Sequence, residues 1–265
     1  MEEKKLFEIY DLTKDLPKDT VIGEFAGRDS VAAILKAMED SSISNILPIA
    51  SFAPTEYGNF EILKFNYEKM IKRAKELYGS NKTIYPLVYY SNFDLWSVIN
   101  GRFVDSIIEG FNFYTPCVGC HAYFHLLRIP IALRLSKKII AGERESHDGR
   151  IKINQTAESL DAYEKMAKAL NVELIMPLRY VEDGNNVEKI LGWEWKEGKD
   201  HQRCAFNKNY VNPKGNVTYN KDKMKEYIDK YLYPVCVALG ELLIGEGEPT
   251  KERMIQALMN RSGIF

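Results

Sequence analysis

The stretch TVIGEFAGRDSVAAILKAM, residues 20–38, joins two hydrophobic patterns at a corner of small and charged residues. Val21 to Phe25 is a nearly continuous apolar run, as expected of a strand buried on both faces. Val31 to Met38 repeats its apolar residues at helical spacing, which makes FAGRDS, residues 25–30, a strand-to-helix turn. In an open parallel sheet such a turn lies at the carboxyl edge, where the helix dipole and the first backbone N–H groups face an anion. Ala26 and Gly27 are small enough to let a phosphate approach the backbone, Arg28 adds positive charge and Ser30 offers a hydroxyl. Asp29 is expected to cap the helix or to ligate a phosphate-bound Mg2+. On spacing alone, a simple small-residue corner capped by Asp29 is the favoured reading.

Outward from this corner the same alternation recurs. Strands are expected at Ile46 to Phe52, Ile84 to Tyr89, Lys138 to Ala141 and Val172 to Ile175, with amphipathic segments between them. One of these, FEILKFNYEKMIKRAKELYG, places Ile62, Phe65, Met70, Ala74 and Leu77 on a shared face and stops at Gly79. The expectation is an α/β fold, a Rossmann-like parallel sheet with helices on both faces, over residues 1–195. After residue 180 the chain turns to Gly, Asn and Lys-rich loops, then helices near 221–244 and 250–260, the latter opened by Pro249 and Thr250. Residues 196–265 are therefore expected to pack as a helical extension on the same domain.

At 265 residues and 45% hydrophobic, the chain can bury a full core. Its 36 Lys and Arg against 37 Asp and Glu give a net charge of −1, so no global positive field draws it to nucleic acid. The late apolar stretch YLYPVCVALGELLIG is too short for a membrane span and is interrupted by Pro234 and Glu241. With no apolar leader after MEEKK, the expected location is cytoplasmic and the four cysteines are expected to be thiols, metal ligands or redox groups.

The corner resembles the strand-SGGxDS-helix phosphate loop of the PP-loop ATP pyrophosphatase superfamily, which it matches at Gly27, Asp29 and Ser30; Phe25 and Ala26 stand where that pattern has Ser and Gly. The resemblance spans about residues 20–180. It implies ATP bound with Mg2+ at Ala26, Gly27, Arg28, Asp29 and Ser30, adenine beside Ala50 and Ser51, and a second nucleotide loop, KKIIAGERESHDGR, reached through Gly142 and Asp148. Arg28 and Asp29 then belong to the catalytic set. The second loop departs from the superfamily's thiolating members and is similar to the G-x-R-x-x-E-S pattern of sulfonucleotide reductases.

PCVGCHAYFH sets Cys117 and Cys120 in C-x-x-C spacing before a helical run, and a helix start beside them is expected to lower their pKa. Their chemistry has four readings. C-x-x-C-H at Cys117, Cys120 and His121 matches c-type haem attachment, which belongs to exported proteins. A zinc site could recruit His125, and a dithiol redox pair needs only the two sulfurs. The fourth reading adds Cys204. Within the superfamily, the two-thiocytidine and two-thiouridine synthetases of tRNA carry C-x-x-C and a lone later cysteine on a 4Fe-4S cluster whose fourth iron is open; Cys117, Cys120 and Cys204 follow that layout. The resemblance thus implies an ATP-dependent sulfurtransferase with those three cysteines as metal ligands and catalytic groups. Its partners would be ATP, a sulfur donor and an acceptor, either tRNA or a small molecule, with a homodimer left open. Rival readings are a reductase-like or ATP-hydrolysing enzyme using free thiols, and a nucleotide-binding or iron-sulfur regulatory protein without catalysis. Cys236, among apolar neighbours, is expected in the core.

His121 and His125 share a helix face, where a packed or supporting role is expected; His147 and His201 sit in polar loops. Arg144 and Glu145 could touch phosphate or form a solvated ion network. Trp193 and Trp195 could stack a base or pack a loop, and Lys189, Lys196, Lys199, Arg203, Lys208 and Lys214 make their region locally basic.

Overall fold

The structure, a computed structural model, describes residues 3–196 and 202–261. The chain begins with helix α1 (Leu6–Thr13) and enters the sheet through β1 (Val21–Glu24), followed by α2 (Arg28–Ala37) and β2 (Asn45–Ala50). After the short strand β3 (Glu56–Tyr57) come α3 (Ile62–Tyr78), β4 (Thr83–Ile84) and β5 (Val88–Tyr89). Three helices, α4 (Phe93–Asn100), α5 (Val104–Phe111) and α6 (Pro116–Leu133), lead to β6 (Lys138–Ile140). Then α7 (Ala157–Ala169), β7 (Glu173–Ile175), α8 (Gly184–Leu191) and β8 (Arg203–Cys204) precede the C-terminal helices α9 (Lys221–Tyr227), α10 (Tyr233–Glu246) and α11 (Lys251–Met259).

The main sheet runs β4-β2-β1-β6-β7, with β5 also paired to β2, and every pairing in it is parallel. β1 is central, with Val21 opposite Ile46 and Ile22 opposite Ile139. The expected third strand is split into β4 and β5, and Pro86, which has no N–H to give a ladder, lies in the break. Helices cover both faces, as the alternation predicts. On one, α2, α3 and α8 bury Val31, Ile34, Leu35, Met70 and Leu191; on the other, α4, α6, α7, α10 and α11 bury Leu95, Tyr123, Leu160, Leu239 and Met254.

The face of α3 differs from its expected one. Leu63, Asn66, Met70 and Ala74 are buried, while Phe65 is 59% and Leu77 43% exposed, so the buried stripe is rotated from the residues with the largest apolar side chains. α11 opens where expected, with the Thr250 hydroxyl accepting from the Arg253 amide at 3.2 Å. α9 and α10 form one continuous rod through a π-helical segment, Ile228–Leu232, a local widening next to Pro234 in which the missing proline donor is tolerated. α10 packs on α6 and α7, and α11 on α4, so the C-terminal helices share the core beneath the sheet. Among the described residues no helix is long and apolar enough to cross a membrane.

Candidate functional site

The carboxyl ends of β1, β2 and β6 meet at one edge of the sheet, and the sequence corner lies there. α2 begins at Arg28 after an extended Gly27 that supplies no side-chain cap. Asp29 is therefore not the cap. Its carboxylate instead accepts from Arg28 Nε at 2.8 Å and lies 3.2 Å from Arg144 Nε, so it gathers two guanidinium groups over the loop. The Ser30 hydroxyl is also committed: it accepts from the Ala26 amide and donates to the Gly27 carbonyl, each at 2.9 Å, and so shapes the loop. Phe25 turns into the core against Tyr67, leaving the backbone at the corner. The first amides of α2, which no helical carbonyl reaches, are what this loop offers an anion.

Gly142 holds the second loop against the first. A Cβ there would lie 2.3 Å from the Ser30 nitrogen and 2.4 Å from its Cα, closer than backbone atoms permit. Its contribution is this close approach. Gly142→Ala is expected to destabilise the fold by roughly 1–3 kcal/mol, as overpacking does, and to lower nucleotide affinity; thermal melts and nucleotide titration of the same preparation check both. Ala50 is fully buried at the end of β2, and the neighbouring Ser51 hydroxyl is buried without a hydrogen-bond partner. Asp148 adopts a left-handed backbone and accepts from the Gly184 amide at 2.7 Å, which pins the loop.

The second loop is more buried than its composition suggests. Arg144 is 0% exposed, so the solvated alternative is excluded for it, while Glu145 does join a network with Arg179, itself bound to Asp161 and Glu164. His147 is buried beside Arg144, and burial with the nearby Lys152 and Arg144 charges drives it down to about 4, so it is neutral. Lys152, missed in the sequence, is an exposed residue, yet desolvation, assisted by the Arg144 and Arg28 charges, holds it below the usual lysine range. Cations thus outnumber Asp29 at the corner.

A buried charge cluster lies behind these loops. Glu24, the last residue of β1, and Glu143, just past β6, both face His125 of α6: Nδ1 is 3.2 Å from Glu24 and Nε2 3.3 Å from Glu143. Arg128 lies 3.9 Å from Glu24, and Gln155 donates to Glu143. Burial opposes every one of these charges, yet Arg128 and His125 hold Glu24 below the carboxylate range. His121 and His125 hold Glu143 well below it, and the two glutamates push His125 up to about 9. Among the described residues only Glu24, His125 and Glu143 bring three such ligand atoms within 4.8 Å of one another. A metal takes one nitrogen of an imidazole. Here opposite nitrogens face different carboxylates, so the group is an ion-pair bridge. The signal was present in the sequence: Glu24 ends an apolar strand, and His125 and Arg128 interrupt an apolar helix, and such charges need partners.

This cluster links the corner to the cysteines. His121 Nδ1 is 2.7 Å from Glu143, its Nε2 is 2.7 Å from Asn154, and it follows Cys120 directly. Both cysteines of the pair lie inside α6, which opens at Pro116 with the Thr115 hydroxyl accepting from the Cys117 amide at 3.4 Å. Cys204 reaches them through β8, which pairs antiparallel with β3, setting Cys204 opposite Glu56. Cys204 Sγ is 3.4 Å from the Thr55 hydroxyl, and Cys117 Sγ 3.4 Å from Asn209 Oδ1.

The expected lowering of the thiol pKa values does not occur. Burial pushes Cys117 up to about 11, with Cys204 adding to the rise, and burial, Glu56, Cys117 and Cys204 together hold Cys120 well above the ordinary value. Thiols are metal ligands as thiolates, so a bound cation would favour the ionised form that burial disfavours at Cys117 and Cys120. A single tetrahedral zinc would hold them about 3.8 Å apart, from Zn–S bonds of about 2.3 Å. The sulfurs are spread more widely than 4.8 Å as a set. His125, the further ligand a zinc site would recruit, faces Glu24 and Glu143 instead. Cys236 is buried in the core.

Beside Cys117 a cleft of about 640 Å³ is lined by Phe113, Tyr114, Phe206, Asn209, Tyr210 and Tyr219. Trp195 packs into the core, and Trp193 lies under Lys69 at 5.8 Å. His201 and Lys199 lie outside the described residues.

No protein-family model matches the chain. The uncharacterized protein MJ0009 of Methanocaldococcus jannaschii is 40% identical over 222 residues, 84% of this chain and 80% of that protein. Among solved structures, the U34-tRNA thiolase NcsA from Methanococcus maripaludis with its 4Fe-4S cluster aligns over 91% of this chain and 78% of its own, at 17% identity and a TM-score of 0.36. A likeness at that level carries no weight for function.

Proposed function

This chain belongs to the family of MJ0009 of Methanocaldococcus jannaschii, and we propose that it is an ATP-dependent sulfurtransferase of PP-loop type. One observation carries the reading: Cys120, His121, Glu143, Arg144 and Asp29 form an unbroken chain of sequence neighbours and paired side chains from the C-x-x-C helix to the loop that opens α2.

ATP is the substrate that fits the loop. The first amides of α2 receive phosphate oxygens, and Arg28, Arg144 and Lys152 offset the charge that builds as pyrophosphate leaves. An acceptor oxygen attacks the α-phosphorus and expels pyrophosphate, and the resulting C–O–AMP bond breaks when sulfur attacks that carbon, with AMP leaving. Mg2+ accompanies the polyphosphate. Cys117, Cys120 and Cys204 would hold a 4Fe-4S cluster, which supplies a Lewis-acidic iron to present sulfide. The aromatic cleft beside Cys117 suits a planar acceptor, with its rings for stacking and Lys208 and Lys214 near it in sequence for phosphate, so a tRNA base is favoured over a small molecule. Glu143 orients the His121 imidazole at the boundary between the two halves.

Anaerobic incubation with labelled ATP, sulfide and unmodified tRNA is expected to yield AMP and pyrophosphate in step with thiolated base. Arg28→Ala should raise the Kd for ATP about tenfold or more, the loss of a charge-assisted contact from the partly exposed arginine of the loop. Formation of ADP alone, or an unchanged Kd, would overturn the reading.

A further inference from the structure

Three cysteines would leave one iron of a four-iron cube without a protein ligand, and a carboxylate stands opposite one of the three. Glu56 lies on β3 directly opposite Cys204 on β8, the arrangement that puts two side chains on the same face about 5 Å apart. Its charge also reaches the Cys120 thiol of α6. The segment carrying it is locked: the Glu56 amide donates to the Ala53 carbonyl at 3.0 Å, and the Ala205 amide to the Thr55 carbonyl at 2.8 Å. The Ala53 amide holds Glu56 Oε2 at 2.7 Å, which fixes the carboxylate while occupying one of its two oxygens. The strand pair places both Cys204 and Glu56 at the same centre.

We propose that Glu56 is a fourth, displaceable donor of this centre, a carboxylate that holds the iron left free by Cys117, Cys120 and Cys204 until sulfide replaces it. This rests on reading the cysteines as a 4Fe-4S site. Oxygen donors bind iron more weakly than thiolates do, so a fourth cysteine would close the position while a glutamate keeps it exchangeable. The exchange is one anionic ligand for another, with no electron transferred. Glu56 is thereby a gate at the metal; burial pushes its carboxyl up to about 7 against the opposing effect of the Ala53 amide, which disfavours a free anion there and suits a ligand that comes and goes.

The test uses the full chain reconstituted anaerobically with iron and sulfide. Glu56→Gln keeps an oxygen for the Ala53 amide but removes the anionic ligand. Its reduced cluster is expected to show altered EPR g values, and titration with inorganic sulfide should complete at a concentration at least tenfold lower than for wild type. Conversion of the variant to a three-iron signal would equally support the assignment. In the wild type, ENDOR in 17O-enriched water should show no strongly coupled solvent oxygen, a measurement that needs no variant. Identical EPR spectra and sulfide midpoints for the two proteins, or a strong 17O coupling in the wild type, would overturn the gate and leave the cluster standing. A wild type that takes up no iron-sulfur cluster would overturn both.

Discussion

Cys204→Ala protein, purified and reconstituted without oxygen, is expected to be colourless where the wild type is brown. Cys117 and Cys120 sit within one turn of α6, and two thiolates alone do not retain a four-iron cluster. The third sulfur comes from β8, 84 positions beyond Cys120, and is held there by two residues of antiparallel pairing and the Thr55 hydroxyl. Iron should fall from about four per chain to below about one, with the broad visible absorption lost. Cys236→Ala is the control. Its thiol lies in the core, so that substitution should lower stability by a small-cavity cost of about 1 kcal/mol and leave the colour intact. Loss of colour in both variants, or in neither, would remove Cys204 from the site.

The second large effect concerns stability. Glu143 is the hub of the buried cluster, 2.7 Å from His121, 3.3 Å from His125 and bonded by Gln155. Glu143→Leu leaves the His125 imidazolium, 0% exposed, with Glu24 alone, and Arg128 already draws on that carboxylate. Removing one partner of a buried ion pair costs about 3–5 kcal/mol, equivalent here to a fall in Tm of roughly 6–20 °C. Adding His125→Leu to the variant should recover part of the loss, since the two residues act on each other. The pH profile has a sign on each side. Glu24 and Glu143 titrate lower in the folded chain than in the unfolded one, so their contribution is complete above about 4.5 and disappears as pH falls through their folded values. His125 is raised to about 9, so its contribution is complete below about 6.5 and is lost as pH rises through 9. Wild-type Tm should therefore be highest between those limits and fall on both sides, with a flatter curve for the variant. A Tm within about 2 °C of wild type would show that solvent reaches the cluster.

Much of this arrangement is legible residue by residue. Val21 to Phe25 and Val31 to Met38 announce the central strand and its helix because burial on both faces and burial on one face leave different periods in a sequence. The positions of the other strands along the chain follow from the same contrast, while their order in the sheet does not. At the site, Gly27, Arg28 and the three cysteines are visible by type and spacing. The roles of Asp29 and Ser30 were not, since a carboxylate able to cap a helix can equally bind arginines, and the choice depends on Arg144, 115 positions away by the numbering. Glu56 and Lys152 carry no local signal at all. Each acquires its meaning from a neighbour distant in the chain: Cys204 for Glu56, and Arg28 for Lys152.

By itself, then, the sequence determined the alternating strands and helices, the small-residue corner and the supply of thiols, because local periodicity and side-chain chemistry are properties of neighbouring residues. Tertiary structure alone decided which charges are paired and which sulfurs meet. Parallel strands with crossover helices bring β1 and β6 side by side across more than a hundred residues, uniting Glu24 with Glu143, and a two-residue strand pair joins Cys204 to the loop after β2. Ion pairing and ligation depend on distances of a few ångströms through space, and no spacing along the chain encodes them.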